Sequence, residues 1–230
     1  MNQKGYTLVE ILFALFIGLL LLSSTYAAMT AGQKSSAAVE RKITAQQDVR
    51  AALEVMSLEL GMASFNPNFV LGAWRNQTDC SAAINQVNRG IQEADAHTLT
   101  IEMDLGESGE VGDEENEIIR YRYDTASQRI TRERILCNGT SLSTTGGVDF
   151  LGADPNSGQP RSVRVINQTL GIPVFSYFDG RGSATANIPD IRRIDITLAV
   201  ETDELDTNTG QRRQMIYASS VLSRNHGITQ

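Results

Sequence analysis

The sequence KGYTLVEILFALFIGLLLL, residues 4–22, decides how the rest of the chain is arranged. A lysine and a glycine come first, and an apolar run then extends from Tyr6 to Leu22 before it fades into serine, threonine and alanine. The run supplies roughly 20 helix-compatible residues, about the number that one bilayer crossing requires. The sequence therefore predicts that residues 6–30 form a hydrophobic helix that crosses a membrane.

A carboxylate, Glu10, lies inside this apolar run. A charged side chain at mid-membrane costs about 2.5–3.5 kcal/mol on insertion scales and less near the end of a helix, so Glu10 is expected to have a specific partner. An ordinary secretory signal does not account for it, because such a signal has a longer charged start and a small-residue cleavage site after the apolar core. A plain single-pass anchor leaves the carboxylate equally unexplained.

The hexapeptide Gly-Tyr-Thr-Leu-Val-Glu, residues 5–10, resembles the class III signal of type IV prepilins and type II secretion pseudopilins, Gly-Phe-Thr-Leu-[Ile/Val]-Glu. The resemblance implies that residues 1–5 are a leader, which a prepilin peptidase removes by cleaving between Gly5 and Tyr6. It also implies that Tyr6 becomes the N-methylated first residue. Glu10 would then act in subunit assembly by pairing with the amino terminus of a neighbouring pilin. Tyrosine replaces the usual phenylalanine but keeps the aromatic ring.

Charge limits the partners that the chain can bind. Its 20 Lys and Arg against 27 Asp and Glu give a net charge of -7 and a pI near 4.9. This balance argues against a general surface for nucleic acid or anionic lipid, so nucleic acid is not an expected partner. The residues beyond the anchor suffice for one medium-sized head domain.

Past the anchor, apolar residues recur every three or four positions and predict an amphipathic helix over residues 31–65. Its expected core-facing stripe consists of Val39, Ile43, Val49, Leu53, Met56 and Leu60. Gly61 and Asn66-Pro67-Asn68 are expected to end the helix, because proline removes a backbone donor and disfavours helix in its predecessor. Continued from Tyr6, the whole helix would be about 90 Å long at 1.5 Å per residue.

Residues 66–230 are expected to form a β-rich head. Phe69–Gln92 has no clear period and predicts a loop whose apolar residues cover the helix. Alternation over Leu99–Leu105 indicates a half-buried strand, residues 118–136 read as a hairpin, and Asn138–Gln159 is expected to be an exposed loop. Four more strands are predicted at Ser162–Ile166, Val174–Phe178, Ile191–Val200 and Gln214–Leu222, the last two as an antiparallel hairpin. One long helix backed by an antiparallel sheet is an α+β arrangement, and it is the pilin fold that the resemblance implies.

Three C-terminal segments, residues 175–180, 191–198 and 219–225, resemble the closing pattern of PilW-type minor pilins and J-type minor pseudopilins. In those families the subunit is scarce, lies near the filament tip and primes assembly. The resemblance therefore implies a minor pilin of a type IV pilus, whose partners are other major and minor pilins and the inner-membrane assembly platform. Before assembly it would cross the inner membrane once with its head in the periplasm, and afterwards it would belong to a surface filament.

Two alternatives stay open at this point. One is a minor pseudopilin of a type II secretion system, which has the same signal and processing and differs in the filament system that it serves. The other is a periplasmic binding or adhesive domain on a simple anchor, with Phe69–Gln92 or Asn138–Pro160 as its ligand surface.

Cys80 and Cys137 would lie in a disulfide-permissive compartment if the head is beyond the inner membrane. A bridge between them would close a loop of about 57 residues, worth roughly 4 kcal/mol in the chain-entropy model. Two separate buried thiols are the alternative.

No enzyme is expected, because the two histidines, His97 and His226, belong to no catalytic pattern. No cofactor is expected either. Calcium is the one candidate ion, because some members of the resembled family bind it and the turn Glu107–Glu117 carries six acids, Glu107, Glu110, Asp113, Glu114, Glu115 and Glu117. The alternative is a solvated acidic turn.

Overall fold

One long helix and two antiparallel sheets make up the fold, which the computed structural model describes for residues 5–139, 141–158, 161–206 and 209–227. Helix α1 spans Leu8–Met62, and the one-turn helix α2 spans Asn167–Leu170. The strands are β1 (Ile91–Ala94), β2 (Thr98–Glu102), β3 (Ile118–Asp124), β4 (Arg129–Asn138), β5 (Ser141–Thr144), β6 (Val148–Leu151), β7 (Val163–Val165), β8 (Phe175–Phe178), β9 (Arg193–Thr202) and β10 (Gln214–Leu222). The predicted α+β class is confirmed, and the arrangement is consistent with a pilin fold.

Helix α1 ends where the sequence predicts. It runs through Gly18 and Gly32 without interruption for 55 residues, which is about 82 Å at 1.5 Å per residue. After Met62 the backbone leaves the helix, and Ser64 adopts a positive φ of 66°. Pro67 lacks the N–H that another helical turn would need, so the helix does not resume.

The second half of α1 buries one stripe against the sheets. Its buried residues are Ala45, Val49, Ala52, Leu53, Met56 and Leu60. Val39 and Ile43, which were predicted to belong to this stripe, are 54% and 48% exposed. The prediction was wrong for these two residues because the head contacts the other side of the helix here, the side that carries Arg41, whose Nη1 lies 2.7 Å from Glu204 Oε2, and Ala45.

The first sheet has the strand order β1-β2-β3-β4-β5, and β6 lies beside β5 against the same edge of β4. β3 and β4 form the predicted hairpin, with Ile118 opposite Ile135. The predicted loop Asn138–Gln159 was wrong in part, because it contains β5 and β6. Both strands pair with β4; every side chain of β5 is exposed, whereas β6 also buries Leu151 in the main core.

The second sheet is built around β9, with β10 on one side and both β7 and β8 on the other. β9 and β10 form the predicted antiparallel hairpin, in which Gln214 lies opposite Glu201 and Leu222 opposite Arg193. The turn between them includes residues 207–208, which lie outside the described residues.

Two apolar cores follow from this architecture. The main core lies between α1 and both sheets, and a second core lies on the other face of the first sheet. Ile119 belongs to the main core and Ile118 to the second, because successive residues of a strand point to opposite faces. Trp74 and Cys80 also belong to the second core. The loop Phe69–Gln92, predicted to cover the helix, therefore covers the sheet.

Strand β2 is buried on both faces as a result. Thr100 and Glu102, which were expected on a solvated face, are completely buried. The prediction of a half-buried strand was wrong, because the loop that contains Trp74 covers Glu102, while the side chains of Glu93 and Arg120 bond to Thr100.

Candidate functional site

No other part of the chain packs on the first half of α1. Every large apolar side chain from Tyr6 to Met29 is at least 52% exposed. In the described part of the chain, α1 is the one helix that is long and apolar enough to cross a membrane, and none of its apolar window is buried. So much apolar surface is stable only in contact with lipid or with other protein.

A capping box defines the start of this helix. Thr7 is the N-cap residue and has extended backbone angles. The Glu10 backbone N–H donates to Thr7 Oγ1 (3.3 Å), and Glu10 Oε2 accepts from the Thr7 backbone N–H (3.0 Å). This reciprocal arrangement satisfies donors that every helix N-terminus leaves free.

The Glu10 carboxylate keeps capacity for a further partner. The Thr7 hydroxyl also donates to Oε2, at 3.1 Å, so that all of the capping bonds to the carboxylate use one oxygen. Oε1 takes part in none of them. The residue can therefore cap its own helix and still accept a cationic donor from another chain, which is the partner that a carboxylate in an apolar environment requires.

Gly5 and Tyr6 precede the helix as exposed, non-helical residues. A Cβ added at Gly5 would meet no atom of the chain within 4 Å. The fold therefore does not require glycine at residue 5. The other predicted leader residues, 1–4, lie outside the described residues.

Cys80 and Cys137 form a disulfide with their Cα atoms 5.5 Å apart. The bridge joins the loop Phe69–Gln92 to the end of β4 and is buried in the second core. Both cysteines are therefore structural, and the alternative of two separate thiols does not apply.

The acidic turn uses its most buried carboxylate to hold its own backbone. Glu117 is completely buried and accepts N–H groups from four residues, namely Leu105, Gly106, Gly112 and Glu114. Within the described ranges, no group of three or more Asp, Glu, His or Cys side chains is placed to hold a metal ion. Calcium binding by this turn stays an untested expectation.

His226 forms a buried pair with Ser64 that sequence reasoning missed. Ser64 Oγ lies 2.8 Å from His226 Nδ1, and His226 Nε2 lies 2.8 Å from the Ile188 carbonyl oxygen. Burial lowers the pKa of His226 to about 4, and the nearby guanidinium groups of Arg89 and Arg192 act in the same direction. The pair has a carbonyl where a catalytic triad has a carboxylate, and it is sealed from solvent, so it serves the fold.

Comparison with known families gives a match at the N-terminus. Residues 1–26 match the model of the prokaryotic N-terminal methylation motif. Neither curated proteins nor solved structures give a significant match. The matched span contains Gly5, Tyr6 and Glu10, and it supports a type IV pilin or pseudopilin type of protein, which is structural in character.

Proposed function

We propose that the chain is a minor pilin, a non-enzymatic subunit that primes assembly of a type IV pilus and lies at its tip. The methylation motif at residues 1–26 carries this proposal. Residues 8–26 of this motif lie in the apolar half of α1, which no other part of the chain covers. Such a segment suits a protein that is first held in lipid and then transferred into contact with other subunits.

Processing comes first in the proposed sequence of events. A prepilin peptidase cleaves the bond between Gly5 and Tyr6, which lies in exposed, non-helical backbone just before the N-cap Thr7. Cleavage and methylation leave a cationic amine on Tyr6. This amine lies close in the chain to Glu10, and it becomes the group that a neighbouring subunit can bind.

Assembly then pairs charges between subunits. The Glu10 oxygen that is not used in the capping box accepts the amino terminus of a neighbouring pilin. Pairing in an apolar surrounding is favourable because it removes two unpaired charges at once. It also sets the register, since any axial slip would leave the carboxylate without its partner.

A tip position is supported by the breadth of the head. β5 and β6 widen the first sheet beyond β4 with two short strands, of which β5 is exposed along its whole length. A shaft subunit must fit a repeating lattice on every side, whereas a tip subunit has one side free. We therefore propose that this wide head lies at the end of the filament.

The deciding experiment is quantitative mass spectrometry of filaments sheared from cells and of the membrane fraction. We expect a peptide that begins at methylated Tyr6 in the filaments, at a small fraction of the major subunit. The same processed peptide confined to membranes would instead indicate a pseudopilin of a secretion system. An intact Met1 terminus would indicate an anchored periplasmic domain.

Gly5→Ala, or a bulkier replacement, should block processing without harming the fold, because a Cβ at this position contacts nothing within the chain. Gly18→Ala is the matched control, since Gly18 also has no atom within 4 Å of an added Cβ and lies beyond the cleavage site. Immunoblots should show the longer precursor for Gly5→Ala alone. Mature-sized protein in that variant would contradict cleavage after Gly5.

Glu10 variants separate charge from capping. Glu10→Ala should leave processing intact and lower incorporation into filaments. Glu10→Gln keeps a capping residue at the third helical position but loses the charge, so it should lower incorporation as strongly. Thr7→Val loses the side-chain cap and keeps the charge, and it should incorporate normally. Immunoblots of sheared filaments measure how much of each variant is incorporated. Normal incorporation of Glu10→Gln would show that charge pairing is not part of the mechanism.

A further inference from the structure

Strand β10 leaves one edge of the second sheet open. Among the described residues it pairs with β9 alone. The Thr202 N–H donates to the Arg213 carbonyl, and the Ser223 N–H donates to the Arg192 carbonyl. Because hydrogen-bonded and non-bonded pairs alternate in an antiparallel ladder, odd-numbered residues of β10 bond to β9. The residues whose N–H and C=O groups face outward are Gln214, Ile216, Ala218, Ser220 and Leu222.

The other sheet edges are short or irregular. β1, β5, β6 and β8 have four residues each and β7 has three, and the pairing of β1 is shifted between Ile91 and Glu93. Short and bulged edge strands are the usual protection against pairing with another chain. β10 has nine residues in continuous register and, as QMIYASSVL, contains no proline and no charged residue. It therefore has none of the features that block an edge.

The open edge is also held in place. The inward-facing side of β10 packs on α1, where Ser219 Oγ lies 2.9 Å from Ser57 Oγ. On the outer face, Ile216 and Leu222 are 59% and 58% exposed, with the small residues Ala218 and Ser220 between them. A fixed backbone edge with two exposed apolar side chains is suited to accept a further strand.

Charge indicates what kind of strand fits. Arginines bracket β10, with Arg212 and Arg213 before it and Arg224 after it. Arg212 and Arg213 lie near Glu201 and Asp206, whereas Arg224 is exposed and has no salt bridge among the described residues. A second copy paired antiparallel through β10 would bring Arg212 and Arg213 toward Arg224 of its mate, so that Arg224 would meet two arginines instead of a carboxylate. A partner with acids at its ends would be attracted.

We infer that β10 is a docking edge for an extended segment of a second protein, which adds as a strand and is uncharged at its centre and acidic where it faces Arg224. Backbone hydrogen bonds from the five outward-facing residues supply the affinity, and Arg224 selects the partner. This surface is distinct from the N-terminal motif, so failure of the docking edge would leave the proposed pilus function intact.

The test uses the full chain in detergent micelles, with its disulfide intact, and fluorescein-labelled peptides. The probe is DDVTVTVDD, and the control peptide is KKVTVTVKK. Fluorescence anisotropy should show binding of the acidic peptide at least about tenfold tighter than the basic one. Arg224→Glu should reduce or reverse this preference.

Two variants at one position test the backbone edge. Ala218→Pro removes an outward N–H that β9 does not use, and edge positions tolerate proline. Ala218→Thr keeps the N–H and is the matched control. Binding of the acidic peptide should fall at least about tenfold in Ala218→Pro and persist in Ala218→Thr.

Hydrogen exchange locates the bound peptide even if Ala218→Pro is unstable. Amides of Ile216, Ala218 and Ser220 should exchange quickly in the free chain, those of Tyr217 and Ser219 slowly, and the acidic peptide should slow the first group. Absence of binding, equal binding of both peptides, or even-numbered amides already protected would overturn the proposal. Dimers of the full chain that dissociate in Ala218→Pro would overturn it in favour of a second copy.

Discussion

Glu102 is a carboxylate buried without a bonded cation. Its hydrogen bonds come from neutral groups, the Arg75 backbone N–H (3.1 Å) and the amides of Gln77 (3.1 Å) and Gln92 (3.3 Å). Burial raises the pKa of Glu102 to about 7. The side chain is therefore protonated in the folded protein over a pH range in which it is ionised in the unfolded chain.

Glu102→Gln should make the protein more stable above pH 7. A raised folded-state pKa means that the folded chain holds the proton more tightly, so wild-type stability from this group falls as pH rises from about 4.5 to about 7. Glutamine does not titrate, so the variant does not lose stability as the pH rises. Gln77 can turn its side-chain amide so that its oxygen accepts from the N–H of the glutamine at position 102. We expect a gain of up to about 3 kcal/mol at pH 8 and almost none at pH 4.

Thermal unfolding of both proteins at several pH values measures this difference. Taking the difference cancels the contribution of other titrating groups such as His226, whose lowered pKa acts in the opposite direction. A constant difference between the two proteins across the pH range would show that Glu102 does not titrate as argued.

The environment of Glu102 could not be predicted from the alternation of apolar and polar residues. That alternation correctly places Leu99 and Ile101 on the face toward the helix. It assigns Glu102 to water, because a period of two says nothing about a distant loop. Trp74 and the disulfide bring that loop over the strand, and such long-range contacts leave no local pattern.

At the scale of elements, a polar clamp joins α1 to the first sheet. Arg132 on β4 donates to both oxygens of Glu59 on α1, at 2.7 and 3.2 Å, and the Tyr121 hydroxyl also donates to Glu59. Burial and the adjacent Glu59 carboxylate raise the pKa of Tyr121, so its hydroxyl remains a donor. The clamp fixes the rotation of α1 about its axis, because Arg132 and Tyr121 can reach Glu59 only when that side of the helix faces the sheet.

Arg132→Ala should lower the free energy of unfolding by about 1–3 kcal/mol, because it leaves the Glu59 carboxylate half-buried without its cation. Glu59→Gln/Arg132→Ala should recover part of the loss. Denaturant unfolding of the full chain in detergent measures both, and Arg134→Ala is the control, since its ion pair with Glu115 is exposed. Equal losses in Arg132→Ala and Arg134→Ala would contradict the clamp.

The disulfide belongs to the same scale, because it joins a loop to a strand. Cys80 and Cys137 are 57 positions apart. Replacing both with alanine should lower the free energy of unfolding by about 2–4 kcal/mol, because the unfolded chain gains conformational entropy without the bridge. Calorimetry of the double variant and of reduced wild-type protein should give similar losses. An unchanged melting temperature in both would show that the bridge does not limit unfolding.

The elements differ in how well the sequence indicates them, for physical reasons. β10 has the predicted bounds Gln214–Leu222, because one of its faces packs on the helix and the other meets water. β5 was missed because its side chains are all exposed and it is held by backbone pairing, which needs no apolar period. β6 was missed because four residues, of which Leu151 alone is fully buried, are too short to show a period. Val39 fits a helical period but is exposed, because periodicity cannot show which side of the helix the head covers, and here it covers the side of Arg41.

For the whole molecule, the chain divides into a bare rod and a folded head. Ala45 is the first fully buried residue, and shortly before it the head contacts α1 through half-buried residues such as Arg41, which pairs with Glu204. A chain of residues 31–230 should therefore be soluble without detergent and should melt within about 2 °C of the full chain. A chain of residues 51–230 lacks Ala45 and Val49 and should melt well below it. Calorimetry compares the three, and a large drop for 31–230 would show that the bare half supports the head.

The unbroken helix α1 has a mechanical consequence. The head packs on α1 only beyond its uncovered first half, so tension applied between two points of that first half passes through helical hydrogen bonds and not through the sheets. The head lies beside the line of force. Its disulfide, its clamp and its open strand edge remain unloaded when this first half is pulled, and their stability is independent of that force.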